Sequence, residues 1–394
     1  MRTRVAIIGA GPAGLLLAHL LHRRGIDSVV LERHDRGHVE RRIRAGVMEH
    51  DVAELLDRVG LGARMRRQGL VHGGINLRFA GRTVRVDFRK LVGRTVTVYG
   101  QHEVVKDMIR ARLDAGAPIL FEAEAVAVED VATSRPVVVF RHRGEVRRLE
   151  AEVVAGCDGF HGVARRSIPT SHLTTYERRY PYAWLGILAE ARPASEELVY
   201  AHHERGFALL SMRSPTLSRL YIQVPPDTDL ADWPDGRIWD ELETRLAAPG
   251  FRLERGPVIQ KDLTVMRSFV TEPMRHGRLL LAGDASHIVP PTGAKGLNLA
   301  VADVTHLARA LFALLKEGRE DGLERYSALC LARIWKVQHF SWWMTTMLHR
   351  DEDELPFDHR RRLGELEAVT GSRAAATWLA ENYTGLPLDL DDLV

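Results

Sequence analysis

The sequence predicts an α/β fold in which a parallel sheet with helices is combined with a second, mixed sheet and a helical C-terminal region. An apolar run at residues 5–8 leads into closely spaced glycines and then into helical spacing, which is the order typical of a nucleotide-binding parallel sheet. Short strand-like runs at residues 183–188, 206–210 and 220–224 indicate a separate sheet. Helical spacing dominates after residue 297. These patterns predict a Rossmann-like domain interrupted by a mixed-sheet domain.

The first strand runs directly into a glycine turn. Gly9, Gly11 and Gly14 have the spacing G-x-G-x-x-G, and Glu32 follows the last glycine by 18 residues. Such glycines allow a tight turn, a close approach of the backbone to a pyrophosphate and close helix packing, while the acid binds ribose hydroxyls. Glycines that serve only turns would give the same pattern. The preceding strand, the helical run at residues 13–24 and the spacing of the acid favour a dinucleotide site.

Composition limits the class of protein. The chain has 394 residues, 45% hydrophobic and 27% charged, which is typical of a soluble globular protein of two or three domains. The net charge is +3 and only six of the 55 basic residues are lysine, so we expect no nucleic-acid partner. We find no apolar run long enough for a membrane span and no room for a signal peptide, which predicts a cytoplasmic protein without membrane contact.

The chain has two cysteines, Cys157 and Cys330. They form at most one bridge and lack the spacing of metal ligands, so we expect buried thiols in a reducing compartment and no metal site. Any redox chemistry would then depend on a bound cofactor.

The segment after the second strand is rich in arginine. Residues 33–44 contain five arginines in 12 positions beside the predicted dinucleotide site. Such a density suggests phosphate binding. A solvated helix face without a specific role is the alternative interpretation.

The middle of the chain contains an insertion. Strand-like alternation at residues 73–87 and 95–99 comes before helical spacing at 103–113, so the second strand of the first sheet does not lead directly to the third. Runs at residues 136–140 and 147–155 predict a strand pair. A helix around residues 238–246 and a further apolar strand ending at residue 282 follow. We predict three parts: residues 1–175 with an insertion near 72–97 that joins the second sheet, a substrate sheet at 176–270, and a returning segment with helices at 271–394.

Three separated motifs occur together in this chain. They are the glycine turn with Glu32, the turn Cys157-Asp158-Gly159, and Gly283-Asp284 followed by Pro-Pro-Thr-Gly-Ala-Lys-Gly-Leu-Asn at residues 290–298. The combination resembles the single-component FAD-dependent aromatic hydroxylases, and the resemblance covers the whole chain. Residues 43–47, 95–101 and 340–345 are similar to that family as well. The resemblance implies a Rossmann-like FAD-binding domain with an inserted mixed-sheet substrate domain and a C-terminal helical region.

The predicted flavin site lies at a second glycine-rich helix start. A helix that begins after Gly293 and Gly296 directs free amides and the positive end of its dipole toward negative charge on a reduced flavin. The resemblance implies that Leu297 and Asn298 make this contact. The full set of FAD contacts that it implies is Gly9, Gly11, Gly14, Glu32, Arg42, Arg44, Gln101, Asp158, Asp284, Gly293, Leu297 and Asn298.

The resemblance also implies a site for a small aromatic carboxylic acid. Ser211 and Arg213 would bind the carboxylate with Tyr221, because a guanidinium pairs a planar carboxylate through two hydrogen bonds. Tyr200 would hydrogen-bond the phenol, which the Pro291 carbonyl also contacts. The other implied residues are Tyr383 and His72, which would carry the phenol proton away, and the wall residues Val47, Trp184, Leu198, Leu209, Thr292 and Ala294. Without the resemblance, such tyrosines and histidines are usually packing residues.

The implied reaction is hydroxylation of 4-hydroxybenzoate to 3,4-dihydroxybenzoate. NAD(P)H reduces FAD, the reduced flavin takes up O2, and a C4a-hydroperoxyflavin transfers oxygen to the carbon ortho to the phenol. Loss of the phenol proton makes the ring nucleophilic, which explains the need for a proton relay. Two alternatives stay open. One is the same chemistry on an amino-substituted ring such as 3-amino-4-hydroxybenzoate, and the other is a flavin oxidase or sensor that does not hydroxylate.

The resemblance also implies contacts for the reductant and a mode of assembly. The implied NAD(P)H contacts are Arg33, His34, His38, Arg44, His161, Arg165 and Arg267. Positive charge near the ribose favours NADPH, whereas Glu40 could repel a 2′-phosphate. Leu220 departs from the family, whose best-known members have an aromatic residue at this position. The resemblance suggests a homodimer formed through the C-terminal helices.

Overall fold

The computed structural model describes residues 1–42 and 46–393. Its strands are β1 Val5–Ile8, β2 Ser28–Leu31, β3 Val47–Met48, β4 Leu70–His72, β5 Gly74–Phe79, β6 Arg82–Asp87, β7 Val96–Val98, β8 Ile119–Leu120, β9 Ala123–Glu129, β10 Val137–His142, β11 Glu145–Glu150, β12 Val153–Gly156, β13 Thr174–Ala189, β14 Val199–Ala201, β15 Ala208–Ser214, β16 Leu217–Val224, β17 Val258–Glu272, β18 Arg275–His276, β19 Leu279–Leu281 and β20 His287–Ile288. Its helices are α1 Pro12–Arg23, α2 Arg36–Arg41, α3 His50–Arg58, α4 Ala63–Gln68, α5 Phe88–Val92, α6 Gln101–Asp114, α7 Val163–Arg166, α8 Asp235–Arg245, α9 Gly296–Glu317, α10 Asp321–Leu348, α11 Pro356–Gly371 and α12 Arg373–Thr384.

A six-stranded sheet carries the N-terminal glycine turn. Its order is β18-β19-β12-β1-β2-β8, and the strands from β19 to β8 run parallel. Every residue of β1, β2 and β12 is buried, because α1 and α9 pack on one face and the antiparallel sheet β11-β10-β9 covers the other. Burial on both faces explains why these strands are continuous apolar runs. The predicted Rossmann-like domain is confirmed.

The predicted strand pair at residues 136–140 and 147–155 is wrong in one respect. The structure pairs β10 with β11 as an antiparallel hairpin, whereas β12 leaves that hairpin and lies parallel to β1. The chain changes sheet at Glu152, whose amide donates to the Arg4 carbonyl. The sequence did not reveal this break because residues 147–155 contain no glycine or proline that would mark it.

The strands of an eight-stranded mixed sheet come from the predicted insertion and from the middle of the chain. Its order is β20-β17-β13-β16-β15-β14-β5-β6, antiparallel except where β14 runs parallel to β5. Strands β5 and β6 lie in this second sheet although they come between strands of the first sheet in the sequence, as predicted for the insertion near residues 72–97. The predicted domain boundaries stay predictions. In the structure, β17 and β20 extend the eight-stranded sheet to residues after 270.

The two faces of the eight-stranded sheet bury different cores. One face packs Leu185, Leu210 and Ile222 against helix α8. The opposite face packs a set of aromatic side chains, Tyr200 among them, against helices α10 and α12, which contributes Tyr383. Because successive side chains of a strand point to opposite faces, each strand contributes alternate residues to the second face. This face holds the predicted substrate residues.

Helix α9 runs through the core of the molecule. Its length and its mean hydropathy of 1.3 over the most apolar window would suit a membrane span, which the sequence analysis did not expect, but 67% of that window is buried inside the fold. The helix is more simply the core helix of a globular protein. Cys157 and Cys330 are buried and unpaired, as predicted.

Candidate active site

The glycine turn leaves the start of helix α1 open to a ligand. Gly9 has a φ of +104°, and a Cβ at this position would overlap the Cys157 carbonyl oxygen. A Cβ on Gly14 would overlap the Gly9 carbonyl oxygen, so both glycines are needed for packing. A Cβ on Gly11, by contrast, would meet no described atom within 4 Å. No side chain of the described residues caps α1, so its first amides stay available to an anion.

Two carboxylates lie beside this open space. Glu32 is buried, and its two oxygens accept the amides of Ala10 at 2.9 Å and His34 at 3.0 Å. Asp158 accepts the Ala164 amide through Oδ2 at 2.8 Å, while its Oδ1 is buried and has no partner among the described residues. Burial raises the pKa of Asp158. An acceptor without a partner fits a hydroxyl group of a bound nucleotide.

A second open helix start belongs to α9, which packs against α1. A Cβ on Gly296, the first residue of α9, would meet no described atom within 4 Å. The Asn298 side chain donates to the carbonyls of Ala294 at 2.8 Å and Val47 at 2.9 Å, and it accepts the Glu49 amide at 2.9 Å. Asn298 therefore fixes the loop in front of the helix with its side chain, which leaves the helix amides for a ligand.

Lys295 is buried immediately before α9. Its ammonium donates to Glu49 at 2.6 Å and to the Tyr383 carbonyl at 2.9 Å. Burial lowers the pKa of Lys295, and the Glu49 carboxylate opposes that effect. The pair connects the loop at residues 290–298 to α12.

These features fit FAD, the cofactor that the sequence predicts. Two helix starts with open glycine positions suit a pyrophosphate and the electron-rich edge of a flavin. Glu32 and Asp158 supply acceptors for hydroxyl groups. The other predicted contacts are Leu297 in the first turn of α9, Gly293 and Asp284 in the 3-10 turns Pro291–Gly293 and Gly283–Ala285, Gln101 at the start of α6, and Arg42 on a cavity described below. Arg44 lies outside the described residues.

A row of side chains crosses three neighbouring strands of the eight-stranded sheet. Tyr200 on β14 pairs with Leu209 on β15, which pairs with Tyr221 on β16. Two strand spacings, about 10 Å, separate the ends of this row. The Tyr200 hydroxyl lies 2.7 Å from the Tyr383 hydroxyl of α12, and burial raises the pKa of both tyrosines. The structure thus brings the predicted tyrosine pair together.

The other end of the row is strongly basic. Arg213 and Arg219 both act electrostatically on Tyr221, and Arg219 lies 5.1 Å from the centre of the Tyr221 ring and pairs with Asp262 at 2.6 Å. Arg213 Nε and Arg219 Nη1 are buried without a partner in the described chain. The Ser211 hydroxyl beside them donates to the Arg219 carbonyl at 2.9 Å. Unfilled donors on two buried guanidiniums form a site for an anion.

Arg219 was not among the residues predicted from the sequence. The residue lies two positions before Tyr221 on β16, so strand alternation already placed both on one face. The ion pair between Arg219 and Asp262 was not visible in the sequence, because the Arg219 side chain reaches Asp262 through space that Gly186 of β13 leaves open. A Cβ on Gly186 would lie 2.6 Å from Arg219 Nη2.

The walls around this row come from several elements. The Trp184 ring of β13 lies 4.7 Å from the Tyr221 ring. Thr292 is fully buried and lies 2.9 Å from the Thr345 hydroxyl of α10. The other predicted residues are Leu198 and Leu209 in the same apolar cluster, Val47 at the start of β3, and Pro291 and Ala294 on either side of Thr292.

His72 ends β4 and is buried. Neither ring nitrogen has a partner in the described residues, and burial lowers the pKa of His72 to about 4. The Glu197 carboxylate acts on it electrostatically and is held by Arg85 through two hydrogen bonds of 2.6 and 2.9 Å. Within the described residues, no direct hydrogen bond joins His72 to Tyr383, so the predicted proton path is not continuous here.

The predicted NAD(P)H residues form two groups. Arg33, His34 and His38 line a cavity of about 430 Å³ with Arg41 and Arg42. The His34 and His38 rings stack at 4.0 Å. This group therefore presents a concentrated positive surface next to the dinucleotide turn.

The second group surrounds Phe160, which sequence analysis missed. His161, Arg165 and Arg267 lie 5.0, 4.8 and 4.7 Å from the centre of the Phe160 ring. None of these three lines the first cavity. A single phenylalanine after the Asp158-Gly159 turn carries no spacing or charge pattern that would have indicated this role.

The fold and the site define a class, the FAD-dependent aromatic monooxygenases. A solved structure of p-nitrophenol 4-monooxygenase from Pseudomonas putida has the same fold, with a TM-score of 0.83, 21% identity, and coverage of 98% of this chain and 100% of that chain. The p-hydroxybenzoate hydroxylase of Acinetobacter baylyi is 48% identical over 100% of this chain and 98% of its own length. The 3-amino-4-hydroxybenzoate 2-monooxygenase of Streptomyces cremeus is 25% identical over 99% of this chain and 98% of its own length.

The FAD binding domain family matches residues 2–341, and the chain belongs to this family of flavin-dependent monooxygenases. The predicted fold, enzyme class and cofactors are therefore confirmed. The protein is an FAD-dependent aromatic monooxygenase that uses NAD(P)H and O2 and acts on an aromatic acid.

Proposed function

We propose that the enzyme hydroxylates 4-hydroxybenzoate to 3,4-dihydroxybenzoate with NADPH and O2. The observation that carries this proposal is the arrangement of two ends on one sheet face: unfilled donors of Arg213 and Arg219 at one end, and the Tyr200–Tyr383 pair at the other. A ring with a carboxylate and a hydroxyl in para positions offers an anion to the first end and a phenol to the second. The name of the Acinetobacter relative supports the same substrate.

The carboxylate end provides binding and orientation. Arg213 pairs the carboxylate through two N–H groups. Hydrogen bonds between charged groups are stronger than hydrogen bonds between neutral groups. Ser211 turns its hydroxyl from the Arg219 carbonyl to the substrate. Tyr221, whose ring lies beside the Arg219 guanidinium, would set the distance between the carboxylate and the ring.

The phenol end controls a proton. Bound FAD supplies hydride acceptance and the activation of O2. Tyr200 hydrogen-bonds the phenol and passes its proton to Tyr383 through their 2.7 Å contact. Loss of this proton raises the electron density at the ortho carbon, which receives the oxygen atom. Burial lowers the pKa of His72 to about 4, so the ring is neutral at pH 7 and, with neither nitrogen partnered in the described residues, would hand the proton on rather than hold it.

NADPH is the reductant that the arginine-rich cavity favours. Glu40, which the sequence placed near a 2′-phosphate, is paired with Arg36 at 2.6 Å and does not line the cavity. Arg33 and Arg41 can therefore face a phosphate, because no acid is among the described residues that line the cavity.

The second candidate substrate is 3-amino-4-hydroxybenzoate, which the Streptomyces relative is named for. It would use the same carboxylate and phenol contacts. A ring amine also needs a polar partner, and the walls formed by Trp184, Leu198 and Leu209 are mostly apolar. A flavin oxidase or sensor is disfavoured because it would have no use for two buried, hydrogen-bonded tyrosine hydroxyls.

We also propose a cytoplasmic homodimer. Trp342 of α10 and Leu355 and Phe357 near the start of α11 expose large apolar side chains, of the kind that a second copy would bury. The two free, buried cysteines suit a reducing compartment. Light scattering of wild type and of Phe357→Glu tests the dimer: we expect a dimer that the variant weakens, and a monomeric wild type would contradict it.

The deciding experiment is product identification. FAD-loaded enzyme is incubated with 4-hydroxybenzoate in air with NADPH or NADH, and product is counted against nicotinamide consumed by liquid chromatography. We expect nearly one 3,4-dihydroxybenzoate per NADPH and slower turnover with NADH. Nicotinamide consumption with only peroxide formed would contradict 4-hydroxybenzoate as substrate, and the same assay with 3-amino-4-hydroxybenzoate would then test the second candidate.

A further inference from the structure

His349 connects two sides of the substrate site. Its ring is buried after the end of α10, and its Nε2 accepts the Trp184 indole N–H at 2.6 Å. Its Nδ1 donates to the Thr345 carbonyl at 2.9 Å. The Thr345 hydroxyl lies 2.9 Å from the Thr292 hydroxyl. A chain of polar contacts therefore runs from the sheet wall through His349 to the loop that carries Pro291.

Only one protonation state of His349 satisfies both contacts. An indole N–H is a donor only and a carbonyl is an acceptor only, so Nδ1 must carry the proton and Nε2 must be free. Burial lowers the pKa of His349 to about 3, which keeps the ring neutral at working pH. The ring is thus a fixed acceptor for Trp184.

The same ring belongs to an aromatic stack. Tyr182 and Phe207 stack on His349 at 4.7 and 4.4 Å, Trp184 stacks on Phe207 at 5.3 Å, and the tilted Tyr221 ring lies 4.7 Å from Trp184. On its outer side, Tyr182 lines a cavity of about 450 Å³. His349 lies between this cavity and the predicted substrate wall.

We propose that His349 is a positioning residue that fixes the Trp184 indole against the substrate ring and closes the wall between the substrate site and the outer cavity. The inference rests on the proposed function, because Trp184 is a wall only if the aromatic acid binds on this sheet face. A loosened indole widens the site and admits water. NADPH, a proton and O2 then yield NADP⁺ and hydrogen peroxide in place of hydroxylated product and water.

The first test observes the indole directly in FAD-loaded protein without substrate. In ¹⁵N-labelled wild type, Trp335 and Trp343 donate to carboxylates at 2.6 and 2.7 Å and should give downfield indole N–H signals, and we expect a third such signal from Trp184. Trp184→Phe should remove that signal, and His349→Ala should move it upfield. An unchanged signal in His349→Ala would overturn the contact.

The second test measures substrate affinity and coupling. His349→Ala should raise the Kd for 4-hydroxybenzoate about tenfold, the effect of one buried hydrogen bond and its packing, and should lower product per NADPH. His349→Gln keeps an acceptor for the indole and a donor for Thr345, so it should restore much of the coupling. His202→Ala is the matched control, because it removes another buried imidazole that contacts only the Leu348 carbonyl in the described chain, and it should keep wild-type coupling.

The outcomes separate this inference from the proposed function. A wild type that forms no 3,4-dihydroxybenzoate contradicts the proposed function. A coupled wild type together with an equally coupled His349→Ala of unchanged affinity contradicts the positioning role. In the Trp184→Phe background, His349→Ala should add no further loss of coupling, and an additive loss would also contradict it. If His349→Ala does not fold, His349→Gln and Trp184→Phe provide the same comparison.

Discussion

The nucleotide end and the aromatic-acid end of this enzyme are built in different ways. The nucleotide end consists mainly of backbone. Its glycines Gly9, Gly11 and Gly14 come from one short segment; a Cβ on Gly9 or Gly14 would overlap backbone atoms, whereas Gly11 faces open space. The aromatic-acid end consists of side chains, and its tyrosine pair joins residues 183 positions apart. A site formed by the backbone can be recognised from a contiguous sequence motif, whereas a site formed by side chains can be recognised only after folding brings distant segments together.

The largest expected effect lies at the nucleotide end, where glycines with different surroundings can be compared. Gly14→Ala places a Cβ against the Gly9 carbonyl oxygen and 3.1 Å from the Ile7 side chain, so it should prevent close packing of α1. We expect little folded, FAD-containing protein. Gly11→Ala meets no described atom within 4 Å, so it should fold normally and bind FAD weakly.

FAD content after purification and thermal unfolding of the apoprotein distinguish these variants. Gly236→Ala is the matched control, since its Cβ would also meet no described atom and it lies in α8, away from the site. It should keep full FAD content. Normal FAD binding by Gly11→Ala would mean that the pyrophosphate does not approach this turn.

The second expected effect concerns the anion end. Arg213→Ala should raise the Kd for 4-hydroxybenzoate roughly 100-fold, or about 2–3 kcal/mol, because it leaves a buried carboxylate without its paired cation. Arg213→Lys keeps the charge and loses the two-point geometry, so its affinity should fall between the two. Arg255→Ala, which removes an exposed arginine paired with Glu243, should leave the Kd unchanged. An unchanged Kd in Arg213→Ala would remove Arg213 from the carboxylate site.

The same contrast explains what could be predicted from the sequence. The strand, glycine turn and acid at the N-terminus are local, so a Rossmann-like fold and a dinucleotide ligand followed from their spacing, whereas FAD followed from the family resemblance. The residues at the aromatic-acid end came from family resemblance, because nothing near Tyr200 in the sequence points to Tyr383. Arg219 and Phe160 were missed, since their importance arises from Asp262 and from a cluster of cations that only the folded chain assembles.

The third effect tests the tyrosine pair. Tyr200→Phe and Tyr383→Phe each remove one hydroxyl of the 2.7 Å contact and leave the other buried without its partner. Because the proton path is broken, product per NADPH should fall several-fold while the substrate Kd changes less. Tyr180→Phe removes a buried hydroxyl that contacts Ser268 and should keep wild-type coupling. Full coupling in both relay variants would exclude the proton relay.

The smallest expected effect compares histidines at the two ends through pH. At the aromatic-acid end, burial lowers the pKa of His72 and His202 to about 4 and that of His349 to about 3. At the nucleotide end, burial opposes the charge of His287, but the Asp303 carboxylate 2.6 Å away raises its pKa.

These shifts act on stability in opposite directions. Between pH 6.5 and about 4 the unfolded chain binds protons at His72, His202 and His349, whereas the folded chain does not. The free energy of unfolding therefore decreases as the pH decreases, by up to about 1.4 kcal/mol per pH unit for each residue. His287 stabilises the fold below pH 6.5, and that contribution is lost as pH rises through its raised pKa.

Urea unfolding at pH 7 and pH 5 should therefore show lower stability at pH 5. His202→Asn should reduce this loss by one histidine's share, because asparagine does not titrate and its amide can still donate to the Leu348 carbonyl. His287→Asn should lower stability at both values and more at pH 5, because it removes a favourable charge pair that is strongest in acid. If the two variants changed the pH dependence of stability alike, His287 would not be charged in the folded protein. The histidines of the two ends would then not differ in charge state.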